Sequence, residues 1–471
     1  MKLKKIHKIL IAVAAALAIL AITAFFLREF ISNYFVRLNL SDIVEPGSDS
    51  RVLIFAPHND DEVLGAADLI SKTVKNGGSV KVVLITNGDG YRNAITFDYL
   101  NLNPKPKDYI NFGYNRQQET LKALEQCGLT EKDVIFLGYP DGGVSSMWSL
   151  HWDDSFPYIS SFTHTSKSPY KNSYTMNAPF SGESLASDIK SIILSYKPTH
   201  IVYPHPNDRH PDHWATNAFV KYVLATTGYK PSYEWLYLVH RGDWPTPLRK
   251  STNMYLVPPA KLVGTGTKWY ALGMDSDDVA QKTKAISSYK TQMLTLKPLL
   301  TAFERRNEMF GIYDNCKIAK TGKPDSDIQA ADYNRVIEDP LQDALRLEIT
   351  RGSDISAVYC ESSVDGNLNV FLETDGKIEK LTTYRLNMII IDGENTKRLN
   401  LAVKGKTLTA NKVSADSITD ISSIKHETNG RYIRFTIPDK LLGSSKHIFI
   451  NAMTSLEDHM LDKTAWRMLD N

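Results

Sequence analysis

From Arg51 to about Gly228 the chain alternates short, wholly apolar runs with longer stretches in which apolar residues recur every three or four positions. RVLIFAPH (51–58) is an apolar run that breaks into a polar turn. DEVLGAADLISKTVKNG (61–77) follows at helical spacing, with Gly77-Gly78 as its stop. VKVVLITNGDG (80–90) predicts a second buried strand, Arg116 to Cys127 a second helix, and DVIFLGYPDGG (133–143) a third strand ending in a turn. SLASDIKSIILSYKP (184–198) reads as a helix, THIVYPH (199–205) as a strand and HWATNAFVKYVLATTG (213–228) as a helix. Strands that are apolar throughout and joined by helices predict a doubly wound, mostly parallel α/β sheet covered on both faces. Such sheets bind ligands beyond the carboxyl ends of their strands. His58, Asp141 and the segment His205–His213 all fall there.

From about Leu345 the pattern changes. NLNVFLET, YRLNMIII, YIRFTI and KHIFINAM alternate with Asp365-Gly366, Asp375-Gly376, Asp392-Gly393 and Asn429-Gly430, the dipeptides of tight hairpins. This predicts a C-terminal antiparallel β-sandwich. A helical run, Asp277–Met309, and a polar stretch, Lys317–Asp339, separate the two units. Between Gly143 and Phe180 lies a Ser-, Tyr- and Trp-rich stretch without periodicity. Its Trp148, His151 and Trp152 suit either a sugar-stacking surface or a packed surface loop.

At the other end, Lys-rich MKLKKIHK precedes an apolar run from Ile9 to Leu27 that closes on Arg28. At 1.5 Å per residue this run is about 28 Å long, close to the hydrocarbon thickness of a bilayer. With basic residues before it, the expectation is a single-pass membrane anchor with the body outside the cytoplasm, or a secreted body if the segment is a cleaved signal peptide. The expected layout is thus an anchor at 1–28, a connector at 29–49, the α/β domain at 50–316, a linker at 317–344 and the sandwich at 345–471.

Composition narrows the function. The chain has 471 residues, 42% hydrophobic and 23% charged, which describes globular units rather than disorder. The net charge of +2 comes from the lysines of residues 1–8, so the body has no basic field calling for nucleic acid. Three scattered cysteines, Cys127, Cys316 and Cys360, make neither a disulfide framework nor a Cys-type zinc cluster. Metal ligands, if any, are His, Asp and Glu.

Two loops carry the candidate chemistry. The first reads Pro57-His58-Asn59-Asp60-Asp61-Glu62. Helix capping needs only one Asp or Asn, and neighbouring carboxylates in a crevice repel unless a cation or separate roles relieve them. The second loop, His205 to His213, holds three of the twelve histidines, with His210 and His213 on one side where a helix begins. Cleft-facing His, Asp and His with an open fourth position make the ligand set of a catalytic zinc site. His240, at the end of the strand EWLYLVH, either reaches the cleft or is satisfied by backbone, as a lone strand-end histidine usually is; His151, His164, His426, His447 and His459 lack a partner pattern and read as surface, and Trp214 reads as core.

On these residues the chain resembles the PIG-L/LmbE-like zinc-dependent N-acetylglucosaminyl deacetylases. Their motifs Pro-His-Pro-Asp-Asp-Glu and His-Pro-Asp-His have counterparts in PHNDDE at 57–62 and HPDH at 210–213. TNGDG at 86–90, Arg116 with Glu119, LGYPDG at 137–142, VHRGDWP at 239–245, the run from Lys282 and RNEMF at 306–310 are also similar, so the likeness spans roughly 50–315. One position departs: Asn59 stands where the family has proline. The resemblance implies zinc, or another divalent transition metal, on His58, Asp61 and His213. It further implies Asp60 as general base, His210 as acid or oxyanion partner oriented by Asp212, and Arg116 and Asp141 as sugar contacts.

The expected function is therefore metal-dependent hydrolysis of the N-acetyl group of an N-acetylated amino sugar, with cell-surface glycans the substrate class that the membrane address favours. Two other readings remain: a non-catalytic surface glycan-binding protein, and a zinc amidohydrolase acting on a sugar conjugate or other amide.

Overall fold

A computed structural model describes residues 2–242, 244–327, 334–341, 351–457 and 459–471. In chain order the first part contains α1 (Lys2–Leu38), β1 (Ser41–Asp42), β2 (Arg51–Ala56), α2 (Asp61–Lys75), β3 (Ser79–Thr86), α3 (Arg92–Tyr99), α4 (Pro106–Gln126), β4 (Val134–Tyr139) and α5 (Val144–Ser149). It continues with α6 (Gly182–Tyr196), β5 (His200–Pro204), α7 (Pro211–Thr227), β6 (Tyr233–Tyr237), β7 (Lys268–Gly273), α8 (Ser276–Ile286), α9 (Lys290–Thr301) and β8 (Asn307–Ile312). These strands form one sheet ordered β1-β7-β8-β6-β5-β2-β3-β4. Every pairing is parallel except those of β8 with β6 and β7. Alternate residues of the apolar runs enter opposite faces. Leu53, Phe55, Val83 and Ile201 join one buried cluster, and Val52, Ile54, Val82 and Val202 the other. Burial on both faces is why these strands show no polar alternation.

The remaining strands are β9 (Cys316–Lys317), β10 (Ala319–Lys320), β11 (Arg335–Glu338), β12 (Ile355–Ser362), β13 (Asn367–Thr374), β14 (Thr383–Asp392), β15 (Asn395–Lys404) and β16 (Thr407–Ala410). They are followed by β17 (Lys425–Asn429), β18 (Tyr432–Pro438), the short α10 (Asp439–Leu442), β19 (His447–Leu456), β20 (His459–Lys463) and β21 (Arg467–Asp470). Two mainly antiparallel sheets result: β10-β12-β13-β18-β17 with β11 on β12, and β16-β15-β14-β19-β21-β9 with β20 on β19. Val370, Leu372 and Phe435 of the first share a core with Leu386, Met388 and Ile450 of the second, as a sandwich requires. The stretch expected as a linker supplies β10, β11 and part of β9 to these sheets. Residues 328–333 and 342–344 of that stretch, and 345–350 of the expected sandwich, lie outside the described residues.

The sandwich shares a core with the α/β layer. Trp148 of α5 is 1% exposed and its ring lies 4.9–5.9 Å from those of Trp152, Phe219, Tyr222, Phe449 and Trp466. Phe449 and Trp466 come from the sandwich. Arg398 of β15 adds its guanidinium over the Trp152 ring at 3.6 Å. Trp148 and Trp152 are therefore core residues and not a sugar-stacking surface. The unit that covers them begins some two hundred residues later, out of reach of local pattern.

The N-terminal expectation is also corrected. The segment is helical, but among the described residues no helix is long and apolar enough to cross a membrane. The single-pass membrane placement, the partnership with a membrane and the extracytoplasmic address resting on it are withdrawn. With them falls the preference for cell-surface polymers. The C-terminal end of α1 docks on the body: Asn33 Nδ2 donates to Tyr255 C=O at 2.8 Å, and its Oδ1 accepts the Tyr255 N–H at 2.9 Å.

The shared aromatic cluster predicts that Trp466→Ala will cost about 3–5 kcal/mol of stability and loosen both units. Hydrogen exchange should accelerate in α5 and α7 as well as in β19. Acceleration confined to the sandwich would show that the α/β layer is held independently.

Candidate metal centre

The site follows from the register of two strands. β2 pairs with β5 through Val52↔His200, Leu53↔Ile201 and Ile54↔Val202. Both run in the same direction, so the loops after Ala56 and Pro204 emerge side by side. The first passes through His58 and Asp60 into α2, and the second passes through Asp208 and His210 into α7.

Three donor atoms converge there. Asp61 Oδ2 lies 3.1 Å from His58 Nδ1 and 3.0 Å from His213 Nε2, and those two nitrogens are 3.2 Å apart. Ligands about 2.0–2.1 Å from a tetrahedral ion stand about 3.3 Å from one another, so the triangle fits one divalent cation with slight expansion. Asp61 Oδ1 is buried without a hydrogen-bond partner, and His240 Nε2 lies 3.8 Å from it. His58, Asp61, His213 and His240 are thus a set that could hold a metal ion. A carboxylate oxygen with no proton donor, beside two imidazole nitrogens facing each other, is a donor set suited to such an ion.

Carboxylates stand behind both rings. His58 Nε2 faces Asp212 Oδ2 at 3.2 Å and Asp141 Oδ1 at 3.3 Å. His213 Nδ1 faces Asp208 Oδ2 at 3.1 Å. The backing acids are themselves anchored by main-chain donors. Asp212 accepts the N–H groups of Gly142 (2.7 Å) and Val144 (3.0 Å), Asp141 that of Gly90 (2.8 Å), and Asp208 those of Val239 and His240 (both 3.0 Å). This carboxylate–imidazole arrangement fixes ring orientation and raises ligand basicity.

Asp60 sits beside the triangle on a strained backbone, with φ 129°. Its N–H donates to Glu62 Oε2 at 3.0 Å, and its C=O accepts the N–H groups of Val63 and Leu64, which starts α2. Arg116 Nη2 lies 3.4 Å from Asp60 Oδ2 and also donates to Asn59 C=O, while Nη1 donates to Gly88 C=O at 3.0 Å. A Cβ on Gly88 would stand 1.9 Å from Nη1, so only glycine leaves room for this clamp. Arg116 is 3% exposed and bridges the two loops. Asn59, where the family has proline, bonds Thr120 Oγ1 through Nδ2 at 2.8 Å, which ties the turn to α4.

The charges divide sharply. Burial pushes the Asp60 carboxyl up to about 8 even though Arg116 pulls it down. Burial also opposes ionisation of Asp61, but His213 and His58 outweigh it and hold that carboxyl well below the usual carboxylate range. His213 is raised to about 9 against its burial by Asp208 and Asp61. His210 is lowered to about 4 by burial and by the neighbouring His58 and His213.

His210 caps α7, and its Nδ1 accepts the Asp212 N–H at 3.3 Å. That leaves the proton of the neutral ring on Nε2. It is thus the Asp212 main chain that meets His210, while the Asp212 carboxylate, held by the Gly142 and Val144 N–H groups, faces His58. His205, in the same loop, faces away: Nε2 lies 2.9 Å from Thr267 Oγ1 and the ring stacks on Trp269. Of the two expectations for His240, the cleft is the one met: it follows β6, beside β5 at the same sheet edge, and its ring faces Asp61. The Asp141 and His240 side chains are the more exposed of the group, at 14% and 30%.

Residues 53–224 match the family described as PIG-L: GlcNAc-PI de-N-acetylase, and this stretch is a PIG-L family domain. Solved structures similar to part of the chain include the N,N'-diacetylchitobiose deacetylase of Pyrococcus horikoshii, at 18% identity over 58% of this chain and 87% of that one, with a TM-score of 0.35. A teicoplanin deacetylase in a zinc-inhibited form is 17% identical over 56% and 97%, TM-score 0.36. The 4-carboxy-2-hydroxymuconate hydratase of Pseudomonas putida is 12% identical over 54% and 82%, TM-score 0.30. No curated protein matches the chain.

A zinc titration followed by thermal unfolding checks the donor set. At a hundred times its dissociation constant the ion should stabilise the chain by about 2.7 kcal/mol, and His213→Ala should abolish the gain. An equal gain in His213→Ala would place the ion elsewhere.

Proposed function

We propose that the chain is a metal-dependent hydrolase that removes the acetyl group from an N-acetylated amino sugar, with N-acetylglucosamine as the sugar and zinc as the ion. The observation that carries this reading is the triangle of His58, Asp61 and His213 with Asp60 directly beside it. Three protein ligands with a position left open, and a carboxylate beside them to act as base, suit a hydrolytic centre rather than a closed structural one. The description of the matching family, a GlcNAc-PI de-N-acetylase, supports the amide and the sugar. Fold alone decides neither.

An ion held on His58, Asp61 and His213 supplies Lewis acidity, which makes water a better acid and an amide carbonyl a better electrophile. Asp60 is the base. Its raised proton affinity suits a group that must take a proton from the attacking water near neutrality. Arg116 holds the Asn59 and Gly88 carbonyls and keeps the Asp60 carboxylate in place, so its role in this reading is positioning. His210, with its Nε2–H free, donates to the oxygen that gains charge when water adds to the carbonyl carbon. The C–N bond then breaks, the nitrogen takes the proton collected by Asp60, and acetate and a free amine leave. Asp212 and Asp208 keep the two ligating rings turned inward, and Asp141 is placed to accept a sugar hydroxyl.

Zinc suits this His/carboxylate set, which iron, cobalt and manganese can also occupy. The zinc-loaded chain should release acetate from N-acetylglucosamine or its oligomers and stop when chelated. Asp60→Asn should keep its zinc and lose about 10²–10⁴-fold in kcat. Bound zinc without acetate release from any N-acetyl amino sugar would overturn the substrate assignment. Acetate release by Asp60→Asn at the wild-type rate would overturn the role of Asp60.

A further inference from the structure

Helix α2 begins on the site, with Asp61 as its first residue, and is broken one turn later. Ala66 has φ −150° and ψ 21°, far from helical values. An unbroken helix would pair the Leu64 C=O with the Asp68 N–H, and the Gly65 C=O with the Leu69 N–H. A break in a buried helix leaves such groups in need of other partners.

Two side chains from distant elements supply them. Lys282 of α8 donates from Nζ to the Leu64 C=O at 2.9 Å and to Glu308 Oε1 at 2.7 Å. Glu308 of β8 accepts the Asp68 N–H on Oε1 at 2.9 Å and the Leu69 N–H on Oε2 at 3.0 Å. The carboxylate therefore caps the start of the second half of α2, and the ammonium caps the end of its first turn, each with the sign that helix ends favour. Both residues are almost wholly buried, at 2% and 1% exposure. Their partners lie at the break, on the helix that carries Asp61.

The first turn is also pressed from behind. A Cβ on Gly65 would stand 2.6 Å from the ring of Tyr237, whose hydroxyl donates to the Phe55 C=O of β2 at 2.9 Å. Tyr237 packs the turn against the strand that leads to His58, and the Lys282–Glu308 pair fixes its far end.

We propose that Lys282 and Glu308 are positioning residues for the metal centre. The pair clips Asp61–Gly65 as a one-turn unit, tilted by the break so that Asp61 reaches His213 while Glu62 holds the Asp60 N–H. The inference rests on the metal-site reading above and deepens it by assigning the orientation of its carboxylate ligand to a pair that touches neither metal nor substrate.

The test is a zinc-competition titration of the full chain, with hydrogen exchange read at residues 61–65. Lys282→Met/Glu308→Gln removes both buried charges together, so neither is left unpaired. It should bind zinc at least about tenfold more weakly, and the amides of 61–65 should exchange faster. Lys282→Arg keeps the charge and a donor for both acceptors, and should stay near the wild-type affinity. If the double variant does not fold, Glu308→Gln alone is titrated with the same expectation of weaker binding. Wild-type zinc affinity in a folded variant, whatever its loss of thermal stability, would reduce the pair to a general stabiliser and overturn the proposal. If the wild-type chain itself binds no zinc, the metal reading fails, and exchange at 61–65 alone decides whether the clip exists.

Discussion

The register between β2 and β5 is the constraint on which the rest of the site depends. β2 has β5 on one side and β3 on the other, so the order of strands reverses there and a crevice opens beyond its carboxyl end. His58 and His213, 155 positions apart in sequence, meet across that crevice. A shift of one residue along the pairing would also turn every apolar side chain of β2 to the opposite face. The packing that fixes the core therefore fixes the distance between the two ligand loops.

Around this crevice the polypeptide gathers many carboxylates. Asp60, Asp61, Asp141, Asp208 and Asp212 stand among the rings of His58, His210, His213 and His240, with the Arg116 guanidinium beside Asp60. Their crowding is tolerated because the acids are not equivalent. Asp141, Asp208 and Asp212 are tied to main-chain N–H groups and each faces a ring nitrogen. Asp61 is the acid in contact with both His58 and His213, and Asp60 is left with a strongly raised proton affinity against a clamp arginine. Two neighbouring carboxylates of the same chemical type are thus given opposite proton affinities by their environment.

Much of this could be read in the sequence, for identifiable reasons. Strands apolar on both faces, broken by polar turns, announce a parallel sheet, and Asp-Gly and Asn-Gly dipeptides announce hairpins. Both signals are local. The two ligand loops were visible because each packs unusual residue types into a few positions. What escaped depends on contacts between segments remote in the chain. The burial of Trp148 and Trp152 comes from Phe449 and Trp466; Asp212 serves His58 because the Gly142–Val144 main chain lies beside it; and His240 acquires a neighbour in Asp61 only once β6 has paired with β5. At the N-terminus hydropathy and structure part: the apolar run predicts a membrane span, and among the described residues no helix is long and apolar enough to be one.

The backbone at Asp60 carries a cost that the rest of the fold must absorb. A non-glycine residue at φ 129° costs on the order of 1–3 kcal/mol, a sizeable share of the margin by which domains stay folded. Glycine would adopt that conformation freely, at the loss of the carboxylate. Selection for thermal robustness alone would therefore pull this position away from aspartate, and under the proposed role of Asp60 selection for turnover would pull it back. Under that role, stability and activity are set against each other by the geometry of a single residue.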